Sequence, residues 1–181
     1  MADIGAYLEE KRPALAAPGA RIRRGEVAPV PLTARATVEG GSGVRRIEIR
    51  RHAIVSDSAP DFAGFDLGPG SPELQLGVLG SCLAYTILIQ AALQAIPITT
   101  LEVEVTGTFD PRASADGFED VPVHPQDLAY TVHIDSQADP AVIAALQVRV
   151  EKACPILNLL RQPQAIDGRF VQGGLPTEID A

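Results

Sequence analysis

The sequence predicts an α+β fold in which antiparallel strands and helices come in separate runs. Residues 44–51 and 126–135 alternate apolar and polar side chains with the period of two that half-exposed strands show. Residues 74–100 contain no Asp, Glu, Lys or Arg, a length and composition that suit a long buried helix. The order is strands, long helix, strands, helix, without the regular strand–helix alternation of a parallel sheet.

Taken in chain order, residues 3–15 form a short amphipathic helix, with Tyr7 and Leu8 among Glu9, Glu10, Lys11 and Arg12, and Pro13 limits it. Residues 16–31 carry Pro, Gly and the basic patch Arg21, Arg23 and Arg24, and read as a linker. Residues 32–39 make a strand, and Gly40-Gly41-Ser42-Gly43 its turn. Val44, Ile47 and Ile49 then interleave with Arg and Glu, and residues 52–56 continue extended. Residues 57–70, rich in Asp, Gly and Pro, are a loop long enough to be a lid or a substrate wall.

Ser71 is the expected N-cap of the long helix, with Pro72 at its first position and Glu73 in its first turn; Pro97 stops it after about residue 96. Strand 99–110 puts Leu101, Val103 and Val105 on one face. An acidic loop, 112–125, leads to strand 126–135, where Leu128, Tyr130, Val132 and Ile134 alternate. Asp139-Pro140 caps a helix to residue 153 whose core stripe is Val142, Ile143, Leu146 and Val150. Residues 155–160 form a second short helix, 164–171 a weak final strand, and the tail after Gly173 frays. The resulting domain spans 32–172, between an extension at 1–31 and a tail at 173–181.

A chain of 181 residues can bury a core of its own. A net charge of −8 and a pI near 4.8 disfavour a nucleic-acid partner, which wants a basic face. Aromatics are 4% of the chain and Trp is absent, leaving little to stack on bases. The opening MADIGAYLEE is acidic and lacks the basic start and apolar run of a signal peptide, so a cytoplasmic location is expected. The uncharged run 74–100 could span a bilayer by length. Gln75, Gln90 and Gln94 lie inside it, however, Glu73 and Glu102 flank it, and no basic cluster marks an inside end. Gln75, Thr86, Gln90 and Gln94 fall within about 100° on a helical wheel, giving one polar stripe beside a wide apolar remainder. A buried central helix, without a membrane partner, is the expectation.

Two cysteines carry the chemical interest. Cys82 sits mid-helix in Gly80-Ser81-Cys82, on the wheel beside Gln75 and Thr86, and Gly77 and Gly80 would let a backbone or a ligand approach closely. A core cysteine is the default for such a position. Cys154 precedes Pro155 and lies near a helix N-cap, where exposed N–H groups favour a thiolate. Spacing alone does not say whether the two meet. His52, His124 and His133 offer no paired ligand spacing, so no metal is expected. No GxSxG elbow, phosphate loop or dinucleotide fingerprint is present, and no cofactor is expected. The run Arg45, Arg46, Arg50, Arg51 reads as a solvated strand face, one member of which could supply positive charge to a thiolate.

Ser71-Pro72-Glu73-Leu74, then Leu79-Gly80-Ser81-Cys82, then Ala153-Cys154-Pro155-Ile156 with Leu159-Leu160, resemble the OsmC/Ohr superfamily of osmotically inducible and organic-hydroperoxide-resistance proteins. The resemblance covers about residues 32–171. It implies two long helices against curved antiparallel sheets and an intertwined homodimer with active sites at the subunit interface. It also implies a thiol peroxidase: Cys82 would attack an organic hydroperoxide, Cys154 would close a disulfide with it, and an external dithiol would reduce the pair. In the hydroperoxide subgroup an Arg follows the Gly-Gly turn and a Glu holds it. Here Ser42 follows, the nearest candidates are Arg45 and Arg46, and Glu73 is one residue closer to Cys82 than that subgroup's Glu, a spacing more like the general OsmC-like branch. Glu73 and Cys82 point to roughly opposite sides of a straight helix, so coupling between them needs an intervening Arg such as Arg46. Two other functions compete with the peroxidase: a non-catalytic binder of apolar small molecules and a thiol-based redox sensor.

Overall fold

The computed structural model describes residues 4–173; the expected frayed tail lies beyond the described residues. The elements follow as α1 (Ile4–Arg23), β1 (Arg35–Val38), β2 (Arg45–Ile49), β3 (His52–Ser56), α2 (Ser71–Gln94), β4 (Thr100–Thr108), β5 (Gln126–Asp135), α3 (Pro140–Ala153) and α4 (Pro155–Arg161). β1, β2 and β3 form one antiparallel sheet in sequence order, and β4 with β5 forms another, so the α+β class stands.

Apolar on most of its circumference, α2 organises the core. Leu79, Leu83, Ile87 and Ala91, each one turn after the last, are buried, Leu83 completely. Beneath them lie Leu101, Val103 and Val105 of β4 and Tyr130, Val132 and Ile134 of β5, while α1, α3 and α4 pack on α2. A Cβ on Gly80 would come within 3.3 Å of the Val105 side chain and 3.6 Å of the Val103 carbonyl, so this glycine lets the helix settle on β4. By length and a mean hydropathy of 1.8, α2 is long and apolar enough to cross a membrane; in this fold it is the central helix of the core. The β1–β3 sheet stands apart, packing on no helix to a comparable extent and leaving Val38, Ile54 and Val55 exposed.

Several boundaries differ from the sequence reading. Pro13 does not limit α1, which continues through Pro18 to Arg23 and absorbs the first part of the expected linker. Docking carries it past the prolines: Leu8 and Lys11 are buried, and Arg12 Nε donates to the Ala92 carbonyl at 2.9 Å. Residues 44–56 are not one extended run but two strands joined at Arg50-Arg51, with Ile49 opposite His52. Arg50 takes a φ of 54°, a left-handed value that hairpin turns usually assign to Gly or Asn, so the turn left no signal. The N-cap of α2 is Gly70 and not Ser71, because Glu73 Oε2 accepts the Gly70 N–H at 2.7 Å. The left-handed Ala95 ends the helix at Gln94, ahead of Pro97. β1 is shorter than the expected 32–39, and residues 164–171 form no strand: Ile166 and Phe170 are exposed, without a pairing partner. Val142 of the expected α3 stripe is also exposed.

The loop between β3 and α2 is folded around one carboxylate. Asp57 is fully buried, and its Oδ2 accepts the Phe65 N–H at 2.9 Å and the Leu67 N–H at 3.2 Å. Arg45 donates to the Asp57 carbonyl and to Ser56 Oγ, both at 3.0 Å. Burial opposes ionisation of Asp57, but backbone N–H groups of Ser58, Leu67 and Phe65, with Arg45 nearby, outweigh it and hold the carboxyl below its usual range. The stability this lends is complete above the ordinary carboxylate range and is lost as pH falls through the lowered folded-state value. Asp57→Asn should therefore lower the melting temperature at pH 7 by several degrees, and the gap from the parent should narrow below about pH 4. Thermal unfolding followed at both pH values checks this; a gap independent of pH would exclude the electrostatic anchor.

Candidate active site

α3 stops at Cys154 because Pro155 has no N–H to continue its ladder, and the same proline suits the first turn of α4. Cys154 is therefore the C-cap of one helix and the N-cap of the next, with φ −73° and ψ 112°. Its thiol is wholly buried and faces α2, where Cys82 Sγ lies 3.4 Å from Cys154 Sγ. Both are free thiols. The fold thus joins the two cysteines the sequence singled out, across 72 positions of chain.

Cys82 is half-buried, at the edge of the α2 stripe. On its open side Leu74, Gly77, Val78, Ser81, Tyr85 and Ile156 surround it in a cavity of about 450 Å³. Beside the thiol the residues of α2 that face solvent are Gly77, Val78, Ser81 and Tyr85; of the expected stripe, Gln94 is exposed and Gln75 and Gln90 are half-buried. Thr86 of that stripe is buried, its hydroxyl donating to the Cys82 carbonyl at 2.8 Å. A methyl group added at Gly77 would meet no atom within 4 Å, whereas one at Gly80 would press on β4, so only the first of the two glycines opens space at the cavity. Burial pushes the Cys82 thiol above its ordinary range; the Ile156 N–H pulls the other way, the Cys154 thiol adds to the rise, and the Thr86 hydroxyl lowers it.

A polar cluster lies behind Cys154. Tyr130 Oη donates to Glu151 Oε1 at 2.8 Å, Gln147 Nε2 donates to the same oxygen at 2.9 Å, and Arg161 reaches Glu151 Oε2 at 3.3 Å. Burial, then the bond to Glu151, pushes Tyr130 up to about 12. Asn158 Nδ2 donates to the carbonyls of Glu151 at 2.9 Å and Cys154 at 2.8 Å. Sequence reading missed this cluster. Its signal was Asn158 four residues after Cys154, one turn along a helix opened by Pro155.

Other singled-out residues lie apart from the thiols. Glu73 caps α2 through Gly70, and Arg46 on β2 pairs with Glu48 at 3.3 Å and Glu39 at 3.9 Å; within one chain neither bonds to a cysteine. Arg45 is occupied at the end of the β2–β3 hairpin by Gly43, Ser56, Asp57 and Ser58. His52, His124 and His133 are exposed on separate elements. Among the described residues no three His, Cys, Asp or Glu side chains gather as metal ligands.

Comparison with known proteins places this geometry. No curated protein sequence matches the chain significantly. An OsmC-like protein structure from Mycoplasma pneumoniae superposes with a TM-score of 0.62 at 22% identity, over 74% of this chain and 89% of that one. A putative osmotic stress induced and detoxification response protein from Psychrobacter arcticus gives 0.58 at 19% identity, over 73% and 90%. An organic hydroperoxide resistance protein from Legionella pneumophila gives 0.53 at 16% identity, over 75% and 92%. These likenesses establish the shared fold. The sequence pattern of the OsmC-like protein family matches residues 64–167, more than half of the chain and both cysteines with it. The chain belongs to the OsmC-like family.

Proposed function

We propose that this protein is a cytoplasmic thiol peroxidase that reduces organic hydroperoxides and works as an intertwined homodimer. The carrying observation is the pair of free thiols 3.4 Å apart, one opening onto an apolar cavity and the other sealed behind it. Membership of the OsmC-like family and likeness to a protein named for organic hydroperoxide resistance support a peroxide-related redox role.

In the proposed reaction the Cys82 thiolate attacks one oxygen of ROOH. The O–O bond breaks, a proton goes to the leaving alkoxide as ROH, and Cys82 becomes a sulfenic acid. The Cys154 thiol then displaces that hydroxyl as water and the Cys82–Cys154 disulfide forms. An external dithiol reduces it, restoring both thiols and leaving its own two sulfurs oxidised. Leu74, Val78 and Ile156 along the cavity favour a substrate with an apolar body over hydrogen peroxide.

Exposed apolar residues support the dimer: Val38, Ile54 and Val55 on the β1–β3 sheet, and Val78 and Tyr85 beside the cavity on α2. A second subunit would cover both. In such a dimer the detached β1–β3 sheet gives Arg46 a route to the other subunit's cavity, with Glu73 as the carboxylate that holds it. The cation would offset the rise that burial imposes on the Cys82 thiol.

That rise is also what favours a second reading, a non-catalytic binder of apolar molecules whose cysteines stay reduced. One equivalent of cumene hydroperoxide, followed by thiol titration and intact mass, separates the two. The peroxidase should lose both thiols and two hydrogen atoms of mass, and Cys82→Ser should abolish turnover. Survival of both thiols in a modest peroxide excess would leave only the binder. Sedimentation equilibrium should give twice the 19.1 kDa chain mass; a monomer at micromolar concentration would count against the shared site. Gly77→Leu should place a side chain in the cavity without crowding the core. It should slow cumene hydroperoxide about tenfold, with a smaller effect on tert-butyl hydroperoxide.

A further inference from the structure

Cys154 is the single residue between α3 and α4, so the angle between those helices decides where its thiol points. A helix that ends abruptly leaves its last carbonyls without intrahelical donors. Cys154 N–H covers the Val150 carbonyl at 2.8 Å. The next carbonyl, that of Glu151, is covered from across the break: Asn158 Nδ2 donates to it at 2.9 Å and to the Cys154 carbonyl at 2.8 Å. One side chain of α4 thereby ties the last turn of α3 to the cap of α4. A second tie runs beside it, because Arg161 of α4 reaches Glu151 Oε2 while Tyr130 and Gln147 hold Glu151 Oε1.

We propose that Asn158 is a positioning residue for the thiol relay: supported by the Glu151–Arg161 pair, it fixes the α3–α4 joint and so holds Cys154 Sγ within 3.4 Å of Cys82 Sγ. Its role in turnover rests on the peroxidase reading. Closing the disulfide brings the sulfurs to about 2.05 Å, a short travel that side-chain rotation supplies if the backbone is already in place. The step joins Cys82–SOH and Cys154–SH, forms the S–S bond and releases water. Its competitor is a second peroxide molecule, which adds another oxygen to the sulfenic acid and yields the irreversible sulfinic acid plus ROH. Cys154 takes no part in the first attack. The same joint carries the Ile156 N–H that faces Cys82, so the positioning role is read from disulfide closure relative to the first attack.

Asn158→Ala should slow disulfide closure roughly tenfold to a hundredfold more than it slows consumption of the Cys82 thiol by peroxide. In a peroxide excess that the parent survives as disulfide, the variant should accumulate a product heavier by two oxygen atoms on Cys82. A general loss of stability would not move that partition. Diamide, which couples two thiols without peroxide, gives a reading independent of the peroxidase chemistry. A parent inert to peroxide that still closes faster than Asn158→Ala under diamide would overturn the peroxidase reading and uphold the positioning role. Equal closure rates under diamide in parent and variant would overturn the positioning role. If Asn158→Ala does not fold, Arg161→Leu, at an exposed position, carries the same test with a smaller shift in the same direction; closure at the parental rate in that variant would likewise overturn the role.

Discussion

The thiol pair depends on a one-residue break between two helices. Leu146, Val150 and Cys154 are spaced four apart and all are buried, so Cys154 inherits its placement from the stripe that seats α3 on α2. Without Pro155 the helix would continue and its backbone would follow the α3 axis away from the joint. With Pro155 the chain turns, Leu157 re-enters the core, and the Ile156 N–H faces Cys82. The opposite sulfur is placed as firmly. Leu79 and Leu83 are buried on either side of Cys82, so Cys82 can lie only at the margin of the same helix face. Core packing, not a binding loop, brings the two sulfurs together.

The same helix supplies the ground for the proposed dimer. α2 is apolar nearly all round, and its own chain covers only the side that meets β4, α1, α3 and α4. The other side shows Val78 and Tyr85 beside Cys82, with Val78 46% and Tyr85 54% exposed. A soluble surface does not ordinarily leave so long an apolar strip open unless something covers it. The β1–β3 sheet has the same deficit, with apolar residues showing and no helix of its own to cover them. On the proposed dimer these two deficits, one on a helix and one on a sheet, would cover each other across a twofold axis. On the proposed reading the substrate cavity is the seam of that arrangement, which would supply the apolar enclosure a hydroperoxide needs.

Much of this was legible in the sequence, for identifiable physical reasons. β5 and α3 fall where alternation and the Asp139-Pro140 cap place them, because period-two patterning and cap chemistry are local signals. The central helix was legible from its lack of charge. What escaped depends on partners distant in sequence. α1 passes Pro13 because α2 accepts Leu8 and Arg12, and nothing within residues 3–15 records that. The Arg50-Arg51 hairpin uses a residue with no turn preference of its own. The wheel grouped Thr86 with the glutamines by polarity, yet Thr86 satisfies its hydroxyl on the carbonyl one turn back and can be buried where a glutamine cannot. The two cysteines could be named in advance, but their meeting could not, since it depends on how α3 and α4 lie on α2.

The geometry also orders the proposed chemistry. A second thiol 3.4 Å away raises the cost of charge on Cys82. Whichever ionises first must be the one that peroxide can reach. Cys154 is fully buried and shut off from the cavity; Cys82 opens onto it and has the Ile156 N–H to receive charge. Once Cys82 carries oxygen its sulfur is electrophilic, and Cys154 Sγ already stands within reach of it. The pair would then run in one direction without any moving part larger than a side chain. Its rate would be set by what brings positive charge to Cys82, and its fidelity by what keeps the helix joint at Cys154 from opening.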